Sequence, residues 1–388
     1  MKILFAPSDN NATSGAFLSM IKLCDLLQND YGCEILILLH CGGTGEELLK
    51  EKHLKYKKIY SFNWFVPYKP DSLIRKIKKA LCYVWMPITR AYNTFAIFKI
   101  SNLVRKEKID IVHLNTSCCY VAAEAALRCN VPFVWHIREF LEEDQGRCIW
   151  NRKKGYNLMS RANALVGISD GILKKYTDAI PTAKIVKIYN GIDDSDFRCE
   201  EHSIFDHDII KMIIVGAINA SKGQEQAILA CKLLVDNGMN NFELLVVGQE
   251  SDYSKRLQSK VHELKLDQYV KFTGATKNTA PLYQTSDITL MCSKAEAFGR
   301  VTVEAMMSGS LVIGANAGGT SELIEDNVTG LLYESGNVND LANKIIYAAL
   351  HRSEAKGIAK RGQTFMLNNM TAKKNAKNVY DLYKQILK

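Results

Sequence analysis

Apolar residues in this chain come in short, dense runs. Most runs are followed by a glycine or polar turn, and then by a longer segment with helical period. "KILFAP" at the start has the character of a buried strand. "AFLSMIKLCDLLQ" after it places Ser19, Lys22, Asp25 and Gln28 on one wet stripe, which predicts a helix. "EILILLH", "DIVHLN", "PFVWHI" and "ALVGIS" are further apolar runs, and segments such as "YVAAEAALR" alternate with them. Strands that are apolar on both faces and separated by helices predict an α/β fold with a parallel sheet covered on both sides.

The pattern breaks after "KIYNGIDDSDF". Residues 193–208 are polar and acidic, have no clear period, and read as a linker. It then restarts with "MIIVGAI", the helical "GQEQAILACKLLVDN", "ELLVVG", a charged helix to Lys265, "VKFTG", "ITLMC" and "LVIGAN". The prediction is two doubly wound, Rossmann-like units, residues 1–192 and 209–369, followed by a charged, helix-prone tail that reaches 388. Ligands of such sheets bind beyond the carboxyl ends of the strands, so a cleft between two facing units is where chemistry is expected.

Composition narrows the setting. A chain of 388 residues with 47% hydrophobic content can bury two cores. Its eleven cysteines are odd in number and form no Cys-x-x-Cys pair. The adjacent Cys118 and Cys119 suit neither a simple bridge nor zinc, which points to a reducing cytosol and no catalytic thiol. No apolar run approaches the roughly 18 residues of a spanning helix, and "MKILFAPSDN" is too short for a signal peptide. The chain therefore reads as soluble, cytoplasmic, or at most attached to the inner face of a membrane. Residues 1–190 carry a net charge of +11 and the remainder −2, together the +9 of the whole, so an anionic partner is expected on the first half.

The stretch "SKAEAFGRVTVEAMMSG" carries the most chemistry. "ITLMCS" is a strand and "KAEAFG" its exit loop. The next helix is expected from near Arg300 to Met307, stopped by Gly309. Glu296 then lies in the loop and Glu304 about one turn inside the helix, with the free amides of the helix start between them as a seat for phosphate. Carboxylates on either side of such a seat suit a ligand with hydroxyls at both ends, such as a nucleotide-sugar. Taken alone, the two acids read more readily as a solvated loop residue and a first-turn residue favoured by the helix dipole.

The surroundings change that balance. "S-x-x-E-A-F-G-x-x-x-x-E-A-M-x-x-G", followed by "GANAGGTSELIEDNVTGLLYE", closely resembles the retaining glycosyltransferases of family 4, which have the GT-B fold. "VPFVWH", "VGISDGI", "VKIYNGID" and "VGAINASKG" fall in that family's order, and only residues 50–105 match weakly. The resemblance implies that Glu304 grips the ribose hydroxyls, Glu296 the donor sugar, and that Phe298, Gly299 and Arg300 lie along sugar and diphosphate. It implies further that Gly15 and Ala16, in the "SGA" loop opening the first helix, face the diphosphate, and that His136, at a strand end on the cleft edge, contacts the sugar or the reacting centre. The last helix, 370–388, is expected to return to the first domain. Arg138 and Glu139, next to His136, are expected on the acceptor side of that first domain.

One departure stands out. Lys222 is present, but Ala217 occupies the position where the family carries an Arg toward the diphosphate. Arg300, at the helix start, is the expected substitute. With two cations and helix starts to stabilise the leaving group, no metal or other cofactor is expected, and no Asp-x-Asp stands in a matching loop; "DDSD" at 193–196 falls in the linker. His113 reads as a satisfied core residue. Segment 63–86 combines Trp64, Phe65, Tyr68 and Trp85 with Arg75, Lys76, Lys78 and Lys79, and suits either an anionic membrane surface or a solvated helix with anchoring aromatics. No nucleic-acid motif accompanies the charge. The expectation is a metal-independent hexosyltransferase acting on a nucleotide-sugar, UDP ahead of GDP, and a glycan or lipid-linked acceptor of bacterial surface-polysaccharide assembly. An epimerase or hydrolase on the same fold, or a non-catalytic binding module, is the rival reading.

Overall fold

The structure is a computed structural model. It describes the chain apart from residues 70–71, 144, 200–202, 277 and 295 and the side chain of residue 75, so the predicted role of Arg75 lies outside the described residues. The chain divides into two compact units: the first comprises Met1–Gly191 and Ala372–Lys388, the second Ile192–Thr371.

The first unit runs β1 (Lys2–Ala6), α1 (Gly15–Asn29), β2 (Glu34–Leu39), α2 (Gly45–Glu51), β3 (Lys55–Lys58), β4 (Phe65–Pro67), α3 (Leu73–Lys106), β5 (Ile111–Leu114), α4 (Val121–Arg128), β6 (Phe133–Ile137), β7 (Arg147–Ile149), α5 (Arg152–Met159), β8 (Ala164–Gly167), α6 (Asp170–Ala179) and β9 (Ile185–Lys187). Seven strands form one parallel sheet in the order β3-β2-β1-β5-β6-β8-β9, and β4 pairs antiparallel with β7 beside it. Every residue of β5, β6 and β8 is buried, as a sheet covered on both faces requires.

The second unit runs α7 (Asp194–Phe197), β10 (Ile210–Val215), α8 (Gln224–Asp236), β11 (Phe242–Val247), α9 (Asp252–Glu263), β12 (Val270–Phe272), α10 (Ala280–Gln284), β13 (Ile288–Met291), α11 (Arg300–Met307), β14 (Leu311–Ala315), α12 (Gly318–Leu323), β15 (Leu331–Tyr333), α13 (Val338–Leu350) and α14 (Arg352–Asn369). Its six parallel strands are ordered β12-β11-β10-β13-β14-β15. In both sheets the chain builds outward on one side and then returns beside its first strand, β1 to β5 and β10 to β13. Ligands of doubly wound sheets bind at this reversal.

The segment read as a linker is not a free connection. Asp193 caps α7, and Ile204 and Phe205 are buried in the second unit's core. The Arg352 guanidinium holds the Phe205 and His207 carbonyls at 3.1 and 2.9 Å. The polar surface of the segment hides these two apolar anchors from a reading by composition.

The chain's last helix, α15 (Ala372–Ile386), belongs to the first unit. Its Ala376, Val379 and Tyr383 enter the core formed by α1 and the sheet, and Asn375 donates to the Tyr189 carbonyl at 2.6 Å. The Tyr383 hydroxyl meets Nδ1 of the fully buried His113 at 2.6 Å. Tyr383→Phe keeps the ring but orphans that nitrogen, so it should destabilise the first unit by about 1–3 kcal/mol in urea unfolding, with the m-value unchanged.

Candidate functional site

In the second unit, the site grows from two loops at the sheet reversal. The loop leaving β10 carries Lys222 and ends at Gly223, whose φ of +72° caps α8. A side chain on Gly223 would meet the Cys292 carbonyl, so only glycine lets this loop lie against the exit of β13. The Lys294 amide donates to the Ser221 carbonyl at 3.1 Å and joins the two loops. Lys222 Nζ and Glu296 Oε1 are in direct contact as an ion pair, with Glu296 the better buried partner.

Past Glu296, Phe298 is buried and Gly299 takes φ +93° to open α11 without a capping side chain. The helix spans the residues expected of it, and Gly309 follows its end at φ +84°. Arg300 Nη2 reaches Glu304 Oε1 one turn along, at 3.1 Å. Burial raises the Glu304 carboxyl above its ordinary range, and the Arg300 charge opposes that rise. Each of the two acids thus already holds a cation, and each cation stands at the mouth of an uncapped helix start.

Sequence reasoning missed the support behind this loop. The Gly319 amide donates to the Glu296 carbonyl at 2.7 Å, and a Cβ on Gly319 would collide with the Phe298 carbonyl. Thr302 and Thr320, on α11 and α12, each bury a hydroxyl with no hydrogen-bond partner among the described residues. Buried polar atoms without partners are uncommon, and an ordered water is enough to satisfy them. The signal was present in "GGTSE", where two glycines precede a hydroxyl residue. Ala217 is exposed and brings no cation, as its identity requires.

In the first unit, Gly15, Ala16, Arg138 and Glu139 come together around one cavity of about 420 Å³ beyond β1, β5 and β6, which Thr116 and Phe65 also line. The Ser14 hydroxyl bonds to Asp9 instead of capping α1, so the amides of that helix start lack a side-chain acceptor. Arg138 is buried, and its guanidinium is clasped by Asn115 Oδ1 at 2.7 Å and by Asn190 Oδ1. Asn115 also donates to the Ala16 carbonyl at 3.0 Å, tying the α1 start to Arg138. Asn115 ends the run "DIVHLN" and Asn190 lies within "VKIYNGID", yet nothing local distinguishes them from turn residues.

Glu139 Oε1 accepts the Ser117 amide at 2.8 Å and its hydroxyl at 2.5 Å. Burial pushes its carboxyl up to about 7, against these bonds and the Arg138 charge.

His136 corrects an expectation. It stands one residue before the end of β6, as expected, but is fully buried there rather than facing a cleft edge. Burial, with Arg138 and His113 adding to it, drives its pKa well below the ordinary value, so the ring is neutral. Its Nδ1 lies 3.3 Å from both Arg138 Nη2 and His113 Nε2. A guanidinium only donates, so Nδ1 is the acceptor and the proton sits on Nε2, which has no partner among the described residues. The ring is a buried hydrogen-bond donor and not a base poised near neutrality.

Segment 63–86 also divides differently from the sequence reading. Trp64 is buried, stacked on Tyr120 and Trp135 with ring centroids 4.7 and 5.8 Å apart, while Trp85 is exposed on α3. No helix among the described residues is long and apolar enough to cross a membrane.

Comparison with known proteins covers both units. The family described as "Glycosyltransferase Family 4" matches residues 27–196, and that described as "Glycosyl transferases group 1" matches residues 200–365. The N-acetyl-alpha-D-glucosaminyl L-malate synthase of Bacillus anthracis is 22% identical over 311 residues, 76% of this chain and 80% of that protein. An uncharacterized glycosyltransferase of Methanocaldococcus jannaschii is 25% identical over 336 residues, 79% of this chain and 83% of that one. The fold matches Anabaena HepE, solved with UDP, at a TM-score of 0.81 and 22% identity, covering 99% of this chain and 100% of that chain. HepE solved with UDP-glucose matches at 0.75 with the same identity and coverage.

The Glu139 carboxyl supplies a test. Its pKa is higher in the folded chain, about 7 against an ordinary 4.5. The folded state therefore binds more protons at this carboxyl between those values, so its contribution to stability is fullest below 4.5 and is lost as pH rises through 7. Urea unfolding should lose roughly 3 kcal/mol of stability across that window, and Glu139→Gln should flatten the slope.

Proposed function

Because the chain belongs to the group 1 glycosyltransferases of family 4 and is a transferase with the GT-B fold, we propose that it moves a sugar from a UDP-sugar to a hydroxyl of a glycan or lipid-linked acceptor, with the anomeric configuration retained. The observation that carries this reading is the double pairing around α11: Lys222 with Glu296 and Arg300 with Glu304, beside buried threonine hydroxyls that lack partners. When the donor arrives, the carboxylates exchange their cations for sugar and ribose hydroxyls, and the cations turn to the diphosphate. Each charge keeps a partner throughout, which lowers the cost of desolvating it. The binding of UDP and UDP-glucose by HepE supports UDP as the nucleotide.

The acceptor hydroxyl attacks the anomeric carbon from the face that the diphosphate leaves. As the new C–O bond forms and the old one breaks, the hydroxyl proton passes to a departing phosphate oxygen. Lys222 and Arg300 stabilise the charge that develops on the diphosphate, with the α11 amides behind them, and on this reading the transfer needs no metal. In the first unit the uncapped amides of α1 at Gly15 and Ala16 offer an anion seat of their own, and the buried His136 Nε2 offers a hydrogen bond to a hydroxyl. Arg138 and Glu139 orient the acceptor, which is presented at an anionic membrane surface in the assembly of a surface polysaccharide.

Calorimetric titration with UDP and with GDP, in the presence of EDTA, tests the donor assignment. UDP should bind more tightly than GDP, and Glu304→Ala should weaken it by about 10–100-fold through the lost charge-assisted bonds to ribose. Lys222→Ala should lower the transfer rate by about 10²–10³-fold. Arg300→Ala with unchanged turnover and unchanged UDP affinity would remove Arg300 from the phosphate role.

A further inference from the structure

The first half of α3 stands off the body of its unit. From Leu73 to Thr89 no described residue is buried, whereas Asn93, Ala96, Ile97 and Ile100 seat the second half in the fold. Ile77, Leu81, Val84, Ile88, Tyr92 and Phe95 recur at intervals of three and four, which puts them on one helix face. Each is between 48% and 73% exposed. Trp85 at 58% widens the face. A face of this kind on a soluble domain requires something to cover it.

Charge decides what the cover is. The 34 residues of α3 contain eight Lys or Arg and no Asp or Glu. A second copy of the helix would bring like charges together with no acid to answer them. An anionic lipid surface answers both the apolar face and the cations.

Beside α3 lies a cavity of about 730 Å³ between α3, α4 and α5. Arg90, Arg128, Lys153, Lys154 and Arg161 line it, with Glu124 as a single acid, and Ile97 and Leu158 add apolar wall. Glu124 lies 3.6 Å from Arg90. No carboxylate of the described residues is within ion-pair distance of Lys153, Lys154 or Arg161. A roomy pocket with that many cations and so little answering charge fits a phosphate.

We infer that this cavity binds the phosphate headgroup of an anionic membrane lipid while the apolar face of α3 enters the lipid surface. The inference rests on the membrane-surface part of the function proposed above and not on the identity of the donor. It also explains an otherwise odd arrangement. Asn63 and Phe65 line the strand-end cavity that holds Arg138 and Glu139, while Trp64 between them lines the headgroup cavity. The Trp64 indole donates to the Ser117 carbonyl at 2.9 Å, and Ser117 holds Glu139. The two cavities share a wall, so a lipid seated in one holds the membrane next to the other.

Flotation of the full chain with vesicles tests this, using phosphatidylcholine alone and phosphatidylcholine mixed with phosphatidylglycerol. The mixed vesicles should bind at least tenfold more tightly, in a salt-sensitive manner. Lys153→Gln, Lys154→Gln and Arg161→Gln together should reduce that binding by about fivefold per charge, some hundredfold in all. Lys76→Gln, Lys78→Gln and Lys79→Gln together should cost clearly less, because those residues lie outside the cavity. Trp85→Ser with Ile88→Ser should weaken binding to both kinds of vesicle, and UDP titration should show all variants folded and their donor affinity unchanged. Equal binding to neutral and mixed vesicles, or to neither, would overturn the inference. So would equal losses from the two lysine-rich sets, or a dimer in light scattering that the Trp85 and Ile88 changes dissolve. Vesicle binding by a chain that ignores UDP would count against the donor assignment alone.

Discussion

A strand can be followed by a parallel neighbour only after a crossover, and this constraint governs both units. It sends every strand of a sheet the same way, so every loop that leaves a strand emerges on one edge. Lys222 and Glu296 are far apart in the chain, yet they touch because β10 and β13 are neighbours that end together. In the same way β1, β5 and β6 deliver Ala16, Asn115 and Arg138 to one point, although Ala16 lies 99 residues before Asn115. The chemistry is thus a property of the sheet's edge, reached by loops free to vary.

At that edge the unit's polar groups solve one recurrent problem, which is to keep a charge out of water without leaving it alone. Arg138 is buried and meets two asparagine carbonyls and a neutral histidine; Glu139, also buried, meets two donors from Ser117 and rises in pKa. Around α11 the same problem is met by ion pairs, which can be exchanged for a ligand's groups in a way that backbone bonds cannot. The two arrangements suit different tasks. A fixed clasp orients a group, while an exchangeable pair receives one.

Elements that rest on local physics were legible in the chain. The limits of α11, with its glycines before and after, follow from the conformations that only glycine adopts readily, and the buried strands follow from unbroken apolar runs. The Glu296 and Glu304 pair was legible because a loop and the helix after it are close in sequence. What escaped was non-local. His136 was read at a cleft edge, but it is fully buried and paired with His113, which Tyr383 of α15 meets from far along the chain. Trp64 and Trp85 look alike as aromatics among basic residues, and only packing sends one into a stack and leaves the other on the surface. Residues 193–208 read as linker because two buried apolar residues are too few to set a period.

The sequence by itself determined the alternation of strand and helix, the two-unit plan, the helix starts and the acids and cations that stand beside them. These follow from period, backbone freedom and side-chain chemistry, which act within a few residues. Tertiary structure alone decided which of those residues meet. It paired Lys222 with Glu296, closed Asn115 and Asn190 on Arg138, and set the basic cavity beside an uncovered helix face. Such meetings depend on strand order and on how helices pack across the sheet, and neither is encoded at any single position.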